Sequence, residues 1–343
     1  MRKLVIFLFI ISIILSLVGC KKTIDQQASS EEPTPLIQFN KTDRSIYSPA
    51  PILSKKLNSI TVEDDGRIAV FENEGNLFIY YPESNRIVNL NLKGEAPLLS
   101  YNGKILVFRR EAKLYVTNLD YINPKHIGTT HYWASDSGIH TGRLDVSSDG
   151  TRIVFERNSG IYLVDIKKGA PEERKIVDGF NPSISKDGKK VVYHTGYRWD
   201  GEDIYKQVWL IDLADKTRKL ISKNDAEYHT LGATFFQNDR LILFGSHIGS
   251  FIYDIKKDET KSYPYIHNVS DSGVIVFTEW DGPIFVGNLQ NHTANRFYLV
   301  KGTYRGEFFI CNKGRRIIYT GIENGIVQEN FLNSKLSLWV VDL

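Results

Sequence analysis

Five histidines, His131, His140, His194, His229 and His247, are the groups in this sequence best suited to hold a divalent cation. No short ligand spacing joins them, so only folding could bring them to one point. Trp133, Trp199 and Trp280 offer flat faces on which a sugar or small ligand can stack. Tyr132, Tyr197, Arg198, Tyr228, Asp281, Tyr304 and Arg305 fall in the same segments. Tyr, Trp and Arg are the residues that carry binding energy at protein interfaces. Three chemistries therefore compete. The first is a broad face that binds a protein or peptide. The second is a concave glycan or small-ligand site. The third is a metal-assisted polysaccharide lyase, in which histidines around a central channel hold a divalent cation. The first is the favoured reading, and it needs no cofactor. The chain has no Gly-x-Ser-x-Gly elbow, P-loop, His-Glu-x-x-His or Cys-x-x-Cys.

The segments that must position these residues repeat. Seven tight turns punctuate strand-like runs, at Asp65-Gly66, Asn102-Gly103, Asp149-Gly150, Asp187-Gly188, Asn238-Asp239, Ser272-Gly273 and Lys313-Gly314. Spacings of roughly 40 residues, with strands and no helical stripe, point to propeller blades. A second landmark supports this register. An apolar triplet closed by Asp or Asn ends at Asn118, Asp165, Asp254 and Asn288, each 15 residues after the second turn residue. Tyr81 holds that place in blade 1, while Asp212 and Asp342 follow their turns by 24 and 28. Blades 4 and 7 therefore carry insertions between their second and third strands, Thr195 to Lys206 and Gly321 to Lys335.

In blade 3 the four strands read Leu144 to Ser147, Arg152 to Glu156, Ile161 to Asp165 and Arg174 to Val177, with Asp-Gly as a two-residue hairpin turn. The predicted fold is an all-β propeller of seven four-stranded blades, with six as the alternative count. The last blade lacks a fourth strand. The segment Leu36 to about Ser54, with its strand-like Arg44-Ser-Ile-Tyr47, is expected to supply that strand and close the ring. Asp65, Asp149 and Asp187 read as turn-formers rather than as metal ligands.

Asn181-Pro-Ser-Ile-Ser-Lys-Asp-Gly-Lys-Lys-Val-Val-Tyr193 resembles the repeat of TolB-like propellers. Asp145-Val-Ser-Ser-Asp-Gly-Thr-Arg-Ile-Val-Phe155 and Val269-Ser-Asp-Ser-Gly-Val-Ile-Val-Phe277 are weaker copies. The likeness covers roughly residues 58 to 343. It departs in blade 2, where Leu99-Ser-Tyr-Asn-Gly keeps only the turn, and in blade 5, where Asn238-Asp239 replaces Asp-Gly. It implies a fold more than a function, because such propellers serve many roles.

Residues 1–19 read as a signal peptide. Arg2 and Lys3 precede an apolar run too short for a comfortable membrane span. The run ends in Leu17-Val18-Gly19-Cys20, which resembles the bacterial lipobox. That resemblance implies lipidation of Cys20 and anchoring on the extracytoplasmic side of a bacterial membrane. Residues 20–35 are polar and read as a flexible tether. Residues 36–343 form the propeller domain. Cys311, the other cysteine, sits in an apolar run and reads as a buried thiol. The formal net charge of +3 falls to +1 without Arg2 and Lys3, so nucleic acid is not an expected partner. The expected partners are the lipid bilayer and an envelope protein or peptide, with a glycan as the alternative.

In a propeller, the loops between strands 2 and 3 and those between blades open on one face. Both insertions belong there, as do the two longest blade-to-blade connections, about Gly128 to Gly142 and Ser222 to Gly232. That face collects His131, Tyr132, Trp133, His140, Tyr197, Arg198, Trp199, Tyr228, His229, His247, Trp280, Asp281, Tyr304 and Arg305. It is the expected binding face.

Overall fold

The computed structural model describes residues 40–47, 53–55, 59–129, 144–166, 171–199, 202–222, 232–246, 249–278, 284–298, 304–322 and 336–343. All belong to one unit, Leu36–Leu343. Seven sheets follow one another along the chain, and within each the consecutive strands pair antiparallel in meander order, two N-terminal strands being added to the last two sheets. The fold is the seven-bladed propeller expected from the turns.

Blade 3 shows why the sequence folds this way. Leu144–Val146, Arg152–Arg157, Gly160–Asp165 and Glu172–Asp178 are its strands. Ile153 faces Val164 and Phe155 faces Tyr162 across the central pair. In the second strand both faces are apolar and buried, because each face meets a neighbouring blade. The fourth strand is largely exposed and charged, as an outer edge should be.

Seven hydrophobic clusters form among the described residues, one at each seam between blades. The seam between the last blade and the first proves that the ring is closed. There Ile60, Ala69, Phe71 and Tyr80 pack against Cys311 and Ile318. Cys311 is thus a buried thiol, not in a disulfide, that fills a seam and donates to the Arg316 carbonyl at 3.5 Å.

Two strands precede blade 1, and the closing strand lies at the end of the expected segment, Leu36 to about Ser54, rather than at its strand-like Arg44-Ser-Ile-Tyr47. β1 (Asn40–Tyr47) contains the strand-like Arg44-Ser-Ile-Tyr47 but does not close the last blade. It lies parallel to Thr293–Tyr298, the outer strand of blade 6, and makes that sheet five-stranded. β2 (Leu53–Lys55) supplies the missing strand of blade 7, pairing antiparallel with Leu336–Asp342. The closing strand is only three residues long, which is why the longer β1 drew the sequence reading.

The Asp-Gly turns also differ from two-residue hairpins. In blade 3 the Gly150 amide donates to the Ser147 carbonyl at 2.9 Å, so the turn spans Ser147 to Gly150. Only the glycine adopts positive φ, at 73°, whereas a type I′ turn would need it at both central residues. The geometry is a type I turn closed by a left-handed glycine. Asp149 sits third and accepts from the Ser147 hydroxyl at 2.8 Å and the Thr151 amide at 3.0 Å. Blade 4 repeats it with Ser185, Asp187 and Gly188. These aspartates form turns, as their position in the repeat implied.

Asn118, Asp165, Asp212, Asp254, Asn288 and Asp342 each end a third strand. Several accept from the amide two residues on, as Asn118 does from Asp120 and Asp212 from Ala214. That local bond starts the turn into the outer strand.

Candidate functional site

Because each blade is a meander, its first and third turns share one face of the ring. The second turn and the blade-to-blade connections share the other. The two ends of the channel are built differently.

On the turn face, the residue before each turn aspartate points toward the axis in several blades. Lys186, in the first turn of blade 4, reaches Asp271 of blade 6 at 2.5 Å and Asp64 of blade 1 at 3.4 Å. Its ammonium also lies 4.0 Å from the ring centroid of Tyr101 in blade 2. One ammonium that starts on blade 4 and meets blades 1, 2 and 6 must cross the axis. Asp239 of blade 5 fixes the backbone beneath it, accepting from the Lys186 amide at 2.7 Å and the Asp187 amide at 3.0 Å. The Lys186 side chain is only 14% exposed. It therefore obstructs this mouth of the channel and ties four blades together.

Electrostatics of this mouth are dominated by carboxylates. Burial raises the Asp64 carboxyl above its ordinary value, with Lys186 opposing the shift. Asp145, on the first strand of blade 3, accepts from the Ser183 hydroxyl at 2.6 Å and the Ile184 amide at 2.9 Å. Burial nevertheless pushes its pKa to about 6. Burial, and then the charges of Asp145, Asp271, Asp64 and Asp239, hold the Tyr101 hydroxyl well above its usual range. Lys186, Tyr101, Asp64, Asp271, Asp239 and Asp145 were not singled out in the sequence. For Asp64, Tyr101, Lys186 and Asp271 the available signal was the position just before the two residues read as the turn; Asp239 is itself one of those turn residues, and Asp145 lies on a first strand.

On the opposite face, the insertion in blade 4 is not a loop. The strands Lys190–Trp199 and Glu202–Asp212 continue the blade as a long hairpin. Tyr197 pairs with Ile204, Arg198 with Asp203 and Trp199 with Glu202. The register shifts once, between Thr195 and Gly196, so the extension begins at a bulge. Tyr197, Arg198 and Trp199 thus stand on a hydrogen-bonded arm. Tyr304 and Arg305, also read as loop residues, instead begin a strand, Tyr304–Cys311, and pair with Ile322 and Gly321.

His194 corrects another expectation. It lies on the second strand of blade 4, 0% exposed, where burial lowers its pKa to about 4. The imidazole is therefore neutral and enclosed in protein rather than exposed. Among the described residues, no three His, Cys, Asp or Glu side chains are grouped to hold a metal ion. His131, Tyr132, Trp133, His140, Tyr228, His229, His247, Trp280 and Asp281 lie outside the described residues.

With this geometry in hand, the chain can be set beside known proteins. No family model matches it, and no curated protein matches it. Solved structures do: 1255 chains match, so the architecture is common and does not by itself narrow the function. One match is described as "Oligogalacturonate lyase in complex with manganese", with a TM-score of 0.62 and 13% sequence identity. The alignment covers 90% of this chain and 98% of that chain. At that identity the likeness shows the propeller fold alone.

Proposed function

We propose that this protein is an exported, lipid-anchored scaffold with a TolB-like propeller that binds a protein or peptide through its loop-bearing face. The observation that carries the reading is the extended hairpin of blade 4. It holds Tyr197, Arg198 and Trp199 in register on paired backbone rather than on a free loop. Anchors carried on paired backbone lose less backbone entropy on binding than anchors on a free loop, which favours aromatic and Arg residues placed there. The Lys186 contacts support the same choice of face, because they obstruct the channel at the other end. The anchor is the lipidated Cys20 implied by Leu17-Val18-Gly19-Cys20, with residues 20–35 as tether.

One capture experiment tests both parts, using the parent, a Cys20→Ala variant and a variant with residues 196–206 replaced by Asn-Gly. The replacement joins Thr195 to Gln207, already a cross-strand pair, through a two-residue turn. Cys20→Ala should abolish membrane retention, and the hairpin variant should stay in the membrane but lose its partner. Undiminished membrane attachment of Cys20→Ala would remove the anchor. Equal partner recovery with and without the hairpin would remove the binding face.

A further inference from the structure

Six charged side chains line a cleft of about 340 Å³ where blade 7 meets blade 1: Asp65, Arg67, Glu83, Lys313, Arg315 and Arg316. The cleft opens on the turn face, since Asp65 and Lys313 belong to first turns and Glu83 to a third turn. Its cations are held to different degrees. Arg67 donates to Glu63 at 2.7 Å and lies 3.3 Å from Asp65, so its charge is largely answered. Arg316 is anchored at the seam, donating to the Gly66 carbonyl at 3.4 Å. Lys313 and Arg315 are exposed at the rim.

The turn that presents these cations differs from its counterparts in blades 2, 3 and 4. Asn102, Asp149 and Asp187 occupy the same place and accept from a backbone amide of their own turn. Lys313 has no acceptor to offer. It also adopts φ 55° and ψ 36°, a left-handed conformation that suits Gly and Asn better than Lys. Turn chemistry therefore does not account for Lys313-Gly-Arg-Arg316, whereas a cationic wall beside Arg67 does. Ring closure assembles the cluster, because Arg67 and Arg316 come from opposite ends of the propeller sequence.

We propose that this cleft is an oxyanion site for a phosphate group. Guanidinium forks match the geometry of phosphate oxygens, and the Lys313 ammonium adds a mobile point charge at the rim. Such a group reaches the cleft either as a free phosphate or on a phospholipid headgroup.

The test is isothermal titration of the full chain with inorganic pyrophosphate and, separately, with glycerol 3-phosphate. The variant is Lys313→Gln/Arg315→Gln, checked by thermal melting against the parent. A control pair, Lys189→Gln/Lys216→Gln, removes the same charge elsewhere on the surface. Saturable 1:1 binding is expected, weakened about 10-fold or more in the cleft variant and little changed in the control. Binding should also weaken in roughly 150 mM salt. Glycerol 3-phosphate binding at least as tightly as pyrophosphate assigns the site to a headgroup, and the reverse order assigns it to free phosphate. No saturable binding of either probe, or the same loss in the control pair as in the cleft variant, overturns the proposal.

Discussion

At the scale of single residues, Asp145 and His194 carry the strongest pH signatures outside the tyrosines, and they act in opposite senses. The folded Asp145 carboxyl keeps its proton to about pH 6, because burial outweighs the bonds it accepts. An unfolded Asp has lost that proton above about pH 4. Across that window the folded state binds the extra proton, so stability falls as pH rises. His194 does the reverse. Its folded pKa is lowered to about 4 by burial, while an unfolded imidazole protonates below about 6.5. Stability therefore falls as pH drops through that window. Each shift of roughly two units amounts to about 3 kcal/mol, so the two slopes nearly cancel in the parent. Single substitutions should unmask them. Asp145→Asn should lose stability on going from about pH 6 to about pH 4, and His194→Phe should gain it. Urea melts across that range check this; parallel trends in the parent and both variants would contradict it.

At the scale of elements, the two N-terminal strands separate closure from decoration. Blade 6 already has four strands when β1 joins its outer edge, whereas blade 7 is incomplete without β2. Deleting residues 36–47 should therefore leave the melting temperature nearly unchanged. Replacing Leu53-Ser54-Lys55 with Gly-Pro-Gly should lower it by about 5 °C or more, in line with a loss of about 2 kcal/mol. The opposite ranking would assign closure to β1. The blade count and the third-strand ends were legible because turn glycines and strand-closing Asp or Asn are local signals. β2 was not, because a three-residue strand has almost no periodicity to read. The blade 4 hairpin was read as a loop for a related reason: its Gly196 and its charged residues interrupt the alternation that pairing restores. His194 followed the same pattern. Its neighbours Tyr193 and Thr195 do not reveal that its side chain is enclosed in protein.

At the scale of the whole molecule, the seven seam clusters make the ring one cooperative body, and Lys186 adds a contact that no seam provides. Its partners lie on blades 1, 2 and 6, so it couples blades that do not touch along the ring. The axis is obstructed on the turn face, and the long hairpin rises from the other. The central claim is that binding belongs to the hairpin face. A photo-crosslinking residue placed at Trp199, and in a second variant at Lys189 on the turn face, tests it in native membranes. The account predicts a discrete adduct from position 199 that is absent from position 189. An adduct from position 189 alone, or from neither position, would contradict it.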